Sequence, residues 1–146
     1  MLKLYPEFVG PGLLRYLSPG ERAQLETVSE SYKYSKGEHV IFDSDSEGIL
    51  YLIEKGSAEV VVQSDEGEKH VALLREGEII GEIGFLTGRL RTADVITLAD
   101  AEIRFYEIER LKPLFLERPE ICAKFFLSLS QILGERFASS MEKFYS

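Results

Sequence analysis

A single cysteine, Cys122, and only two histidines, His39 and His70, leave this 146-residue chain poor in disulfide and metal-binding chemistry. One thiol excludes a disulfide framework and a cysteine-rich metal site; near the start of an amphipathic segment, Cys122 reads as a small buried hydrophobe. Two histidines with no His-x-His pair, each on its own expected strand, argue against the His-rich metal centre of a jelly-roll enzyme. No cofactor or metal is expected. The acidic turn at residues 44–47 is too short for a calcium loop, and no Gly-x-Ser-x-Gly elbow accompanies the serines. Basic residues are the minority, 17 against 25 acids, for a net charge of −8. Such a balance opposes direct binding to nucleic acid, which needs basic stripes to neutralise phosphates. It does not oppose a small anion, because beyond about 8 Å the overall charge is screened and local groups decide. No apolar run approaches the ~20 residues that span a bilayer, and the N-terminus has no signal-peptide core. The expectation is a cytoplasmic protein with no membrane partner.

What is present describes one globular domain, with 45% hydrophobic and 29% charged residues, long enough to bury a self-sufficient core. It divides into a helical lead-in over 1–31, a β-rich body over 32–108 and helices over 109–146. In the lead-in, Ser18, Pro19 and Glu21 have the form of a capping box with proline at the first helical position, which predicts a helix over 19–29. Leu13, Leu14 and Leu17 suggest a helical turn just before it. In the body, short β-branched or aromatic runs at 39–42, 49–53, 58–63, 70–74, 79–80, 93–98 and 102–108 alternate with polar, glycine-containing breaks. Short strands at roughly 10-residue spacing predict an antiparallel β-roll or jelly roll. Beyond it, Pro113 and Pro119 divide a short helix from a long one starting near Glu120. Phe126, Leu129, Leu133, Phe137, Met141 and Phe144 recur along the long helix at spacings of three or four.

The stretch GEIIGEIGFLTGRLRTADV, residues 77–95, concentrates the chemistry. One helical turn around Glu82–Leu86, entered from a strand and left through Gly88, would present unpaired N–H groups to an anion. Gly81 and Gly84 would let a ligand approach the backbone closely. Arg91 could add a bidentate pair, and Glu82 would be an acceptor held beside the anion. A ligand with both a phosphate and a sugar hydroxyl satisfies the two together, which describes a nucleotide. Read singly, the glycines are also what tight turns use, Arg89 is a solvated arginine, and Glu82 with Arg91 is equally a plain salt bridge of small value.

GEIGFLTGRLRTADV resembles the phosphate-binding cassette of the cyclic nucleotide-binding domain family, which is found in the catabolite activator protein, protein kinase A and G regulatory regions and nucleotide-gated channels. Gly81, Glu82, Ile83, Gly84, Phe85, Leu86 and then Arg91, Thr92 and Ala93 fill its pattern. LSPGERAQL, SKGEHVIF and LYLIEKGSAEV, with its hairpin glycine at Gly56, are similar to the family's opening helix, first strand and first hairpin. RPEICAKFFLSLSQILGERF resembles the closing helices. Two positions depart from the pattern: FDSDSEGILY has Asp45 without a preceding glycine, and Leu90 replaces a frequent proline before Arg91.

The resemblance implies a non-enzymatic regulatory module that binds cAMP or cGMP. Glu82 would accept from the ribose 2′-hydroxyl. Arg91 would pair with the cyclic phosphate, aided by backbone N–H groups around Gly84, Phe85 and Ala93. Thr92 would contact the phosphate or purine edge, as a threonine does in members that favour cGMP. Arg136 and Phe137 fall near the residues that cap the base, although Phe137 equally continues the apolar stripe as core filling. The resemblance also implies that the closing helix moves on binding. The segment after Gly134 would then act as a lid, or as a pairing surface for a second copy. The rival expectation is a docking or dimerisation module that keeps this fold without a ligand. Either a free-standing module or a piece of a larger chain fits these features.

Overall fold

The structure, a computed structural model, describes residues 12–40, 48–88 and 93–145. The expected turn around Asp45, together with Arg89, Leu90, Arg91 and Thr92, lies outside the described residues.

Helix α1 (Pro19–Thr27) begins as its sequence dictates. The Ser18 hydroxyl accepts from the Glu21 N–H at 3.2 Å, and the Ser18 N–H donates to Glu21 Oε1 at 2.9 Å. The same carboxylate receives Lys124 Nζ at 2.8 and 3.1 Å, which ties the lead-in to the C-terminal helix. Burial alone would raise the Glu21 pKa; the Lys124 hydrogen bonds, the Ser18 N–H and the Lys124 charge outweigh it and leave the carboxyl below its usual 4.5. A depressed folded pKa stabilises the fold above the unfolded value, and that stability is lost as pH falls through the folded one. Replacing Lys124 by methionine should therefore cost about 1–3 kcal/mol at neutral pH, by leaving a buried carboxylate short of a partner. Denaturant melts should show the gap to wild type narrowing below about pH 4. A gap unchanged with pH would assign the loss to packing.

The body comprises β1 (Glu30–Tyr34), β2 (His39–Val40), β3 (Ile49–Lys55), β4 (Ala58–Ser64), β5 (Gly67–Leu74), β6 (Ile79–Ile80), β7 (Ala93–Thr97) and β8 (Ala101–Glu107). All pair antiparallel, in two four-stranded sheets of order β1-β8-β3-β6 and β2-β7-β4-β5. This is the expected β-roll with flanking helices. The β3–β4 hairpin turns at Gly56, whose φ is 87° and where a Cβ would lie 2.3 Å from the Asp100 carbonyl oxygen. Only glycine fits there.

Strand β3 explains how two cores share one sheet. Leu50 and Leu52 face the helices, together with Tyr106, Leu111, Phe115, Ile121, Phe125 and Leu129. Tyr51 and Ile53, one step out of phase, face the interior of the roll with Val40, Val95 and Ile103. A strand buried on both faces reads as a continuous apolar run, which ILYLI is.

Three expectations need correction. The strand β1 was not foreseen, because four of its five residues are exposed and show no apolar alternation; pairing with β8 and the stacking of Tyr32 on Phe105, with ring centroids 4.9 Å apart, hold it. The expected short helix followed by a long one is present, but Pro113 has no part in the division: it lies inside α3 (Ile108–Glu117), where Leu111 and Phe115 on either side are buried and outweigh one lost backbone bond. The break comes only at Arg118, before α4 (Pro119–Tyr145). The third concerns the phase of α4. Its fully buried line runs through Ile121, Phe125, Ser128 and Leu129, with Phe126 and Leu133 of the expected stripe packed against the core, whereas Phe137 is 68% exposed and is not core filling. Cys122 is partly buried against the helical core, and burial raises its thiol pKa.

Candidate ligand-binding site

The glycine-rich stretch folds as a short helix between two left-handed glycines. Helix α2 (Glu82–Thr87) is entered at Gly81, φ 92°, and left at Gly88, φ 73°, whose N–H closes onto the Gly84 carbonyl at 2.8 Å. Both conformations are ones that side-chain-bearing residues rarely adopt, so these two glycines set the length of the helix. Phe85 anchors it: the ring is buried in the helical core, 6.2 Å from the ring of Phe125 and 6.3 Å from that of Phe126. Gly84 is buried as well, while Ile83 is 55% exposed and faces away from the core. The Phe85 N–H donates to the Gly81 carbonyl at 2.9 Å, so the donors left at this end of α2 are those ahead of Phe85.

Glu82 projects from the first turn, its side chain only 16% exposed, into a cleft of about 440 Å³. Val60, Ala72, Leu73 and Leu74 from β4 and β5 form an apolar wall; Glu78, Ile79, Ile80, Glu82 and Arg136 complete the lining. Arg136 is the one cation lining this cleft among the described residues. It arrives from α4 and holds two groups at once: Nη1 lies 2.9 Å from Glu82 Oε1, and Nη2 donates to the Ile79 carbonyl at 2.6 Å.

The structure thus brings Gly81, Glu82, Gly84 and Arg136 to one end of the roll and places Phe85 beneath them. Ala93 opens β7 opposite Val62, on the sheet that forms the cleft wall. Arg91 and Thr92 lie just before that strand, outside the described residues. Sequence reasoning placed Arg136 near the ligand by counting from the cassette but missed its pairing with Glu82. A contact across that length of chain leaves no local signature; the one available hint was that Arg136 follows Leu129 by two helical turns on the core-facing side of α4. His39 and His70 sit on β2 and β5, at opposite edges of one sheet.

A cyclic nucleotide-binding domain model matches residues 32–118, which includes the whole cassette. The chain belongs to the cyclic nucleotide-binding domain family. Its domain is 30% identical over 112 residues to the cAMP-dependent protein kinase type II regulatory subunit of Drosophila melanogaster, covering 72% of this chain and 30% of that one. The cyclic nucleotide-binding domain therefore spans less than a third of the curated relatives it matches. Among solved structures, the catabolite activator protein of Thermus thermophilus superposes with a TM-score of 0.73 at 23% identity, over 90% of this chain and 61% of that one. At this identity the match speaks for the fold alone. A protein described as the regulatory subunit of a cAMP-independent protein kinase A from Trypanosoma brucei matches at 26% identity and a TM-score of 0.59, over 86% of this chain and 48% of that one. Among the described residues, no helix is long and apolar enough to cross a membrane.

Proposed function

We propose that this domain is a non-enzymatic cytoplasmic sensor that binds one cyclic nucleotide monophosphate, cAMP or cGMP, at the cleft beside α2. The observation that carries the reading is Glu82: a carboxylate on the first turn of a glycine-bounded helix, directed into a cleft with an apolar wall. A purine suits that wall, and a ribose hydroxyl suits the carboxylate. In this reading Arg91 meets the cyclic phosphate together with backbone N–H groups of the α2 turn and of Ala93, and Thr92 contacts the phosphate or the purine edge. Binding at Glu82 is felt directly by α4, because Arg136 joins the two. The exposed Phe137 and Met141 further along α4 give a second copy of the chain an apolar surface to pair with.

The Trypanosoma brucei relative is described as belonging to a cAMP-independent kinase, so family membership does not by itself fix the ligand. Thermal melts with added nucleotide decide. At 100 times its dissociation constant a ligand stabilises by about 2.7 kcal/mol, a rise in Tm of about 5–10 °C at this size. The expected result is such a rise with cAMP, cGMP or both. Unchanged melting at millimolar concentrations of each would favour a docking module that keeps the fold without the ligand.

A further inference from the structure

Gly12, the first described residue, is fixed against the β5–β6 turn. Its carbonyl accepts from Arg15 Nε at 2.8 Å, and a Cβ built on it would lie 3.0 Å from the Gly77 carbonyl oxygen. Gly12 borders a cleft of about 580 Å³ that adjoins the one beside Glu82 and shares Glu78, Ile79 and Arg136 with it. Ile79 and Ile132 are its apolar lining, and Glu76, Glu78 and Glu135 bring three carboxylates. Both of its cations are committed elsewhere. Arg15 serves the Gly12 carbonyl, Gln131 and Glu135, while Arg136 serves Glu82 and the Ile79 carbonyl. The Glu78 side chain, partly buried, has no hydrogen-bond or ion-pair partner among the described residues.

The sequence that leads into Gly12 is MLKLYPEFVGP, residues 1–11, which lie outside the described residues. Six of the eleven are apolar or aromatic (Met1, Leu2, Leu4, Tyr5, Phe8 and Val9), and the charged side chains are Lys3 and Glu7. Such a composition gains by leaving water, and the tether at Gly12 makes an encounter with the cleft intramolecular. Nine residues separate Lys3 from Gly12, a reach of up to about 30 Å. We propose that the occupant of this cleft is the chain's own N-terminal segment: Leu2–Tyr5 pack against Ile132 and its neighbours, and Lys3 pairs with Glu78. Charge selects this cleft over the other that Gly12 borders, of about 210 Å³. There the one carboxylate, Glu54, is already taken by Arg104 and Ser31. The docking goes beyond the nucleotide reading and does not depend on it.

A nitroxide on Leu4→Cys tests this by amide NMR of the full chain, with Cys122→Ala so that one thiol alone is labelled. The amides of Gly77, Glu78, Ile132 and Glu135 should lose most of their intensity relative to the reduced label, and those of Asp65 and Glu66 in the β4–β5 turn should keep theirs. Lys3→Glu should lower the ratio of seated to unseated segment about two- to fivefold, as for one partly exposed ion pair, and weaken the broadening accordingly. Lys3→Glu combined with Glu78→Lys should restore it. With native Cys122 and no label, Lys3→Glu alone should still shift the Gly77 and Glu78 amides, so the test survives a label or background that perturbs folding. Broadening spread evenly over the surface, or centred on Leu14, Arg22 and Glu54, would overturn the docking. Broadening that Lys3→Glu leaves unchanged would overturn the pairing with Glu78. Mixing nitroxide-bearing chain with isotope-labelled chain that carries no nitroxide separates the occupants: loss of the same four amides in that mixture would assign the cleft to a second copy and overturn the intramolecular strap.

Discussion

Arg91→Ala is expected to weaken cyclic nucleotide binding by about 30-fold to several thousand-fold. The range converts the ~2–5 kcal/mol typical of removing one partner from a desolvated, hydrogen-bonded charge pair. The structure sharpens the reason. Among the described residues, the only cation lining the cleft is Arg136, and both of its described contacts are to Glu82 and the Ile79 carbonyl. A cyclic phosphate at this end of the roll needs a different positive charge, and Arg91, just before β7 on the cleft-forming sheet, is placed by sequence to supply it. Arg89→Ala should change affinity far less. Calorimetric titration of both variants separates them: equal losses at the two positions would mean that the cassette has been aligned in the wrong register.

The second large effect concerns stability. Phe125 is completely buried and lies at the centre of an aromatic cluster, with ring centroids 6.2 Å from Phe85, 5.7 Å from Tyr106, 5.4 Å from Phe115 and 5.6 Å from Phe126. One ring thus joins α2, α3, α4 and β8. Phe125→Ala should cost about 3–5 kcal/mol, the transfer free energy of the ring plus a cavity that rigid aromatic neighbours fill poorly. Leu116→Ala provides the contrast: Leu116 is 84% exposed, and its loss should change stability by less than about 0.5 kcal/mol. Urea denaturation monitors both. A Phe125→Ala loss no larger than that of Leu116→Ala would contradict the assigned core. Because Phe85 rests on the same cluster, Phe125→Ala should also loosen α2 and weaken ligand binding as a secondary effect.

Local chemistry was the most legible part of this chain. The capping box at Ser18 and Glu21 forms as written, because both partners lie within one turn. The short helix between Gly81 and Gly88 was readable for the same reason, since left-handed backbone at its two ends demands glycine. Interior strands showed themselves through apolar runs, and the β-roll followed from their spacing. Legibility failed where tertiary context decides. An exposed edge strand such as β1 carries no pattern of its own and exists because β8 offers a partner. Proline is a strong local signal, yet Pro113 is overridden by the buried residues around it.

The apolar stripe of α4 was read correctly in its first half and not in its second. The stripe through Phe126, Leu129, Leu133, Phe137 and Met141 has sound helical spacing, and Leu129 is buried with Phe126 and Leu133 packed against the core, but Phe137 and Met141 are exposed and the fully buried line runs through Ile121, Phe125 and Leu129. A helix rich in apolar residues has more than one stripe that fits. Which one faces inward is settled by the partner, and here the partner at the far end is a carboxylate.

Amide NMR of the full chain titrated with cAMP, and separately with cGMP, tests the central claim most directly. The account predicts saturable 1:1 shifts concentrated in residues 81–93 and extending to Arg136 on α4, with at least one of the two nucleotides. Spectra that do not change at millimolar concentrations of both, or saturable shifts centred away from α2 and the start of β7, would contradict it.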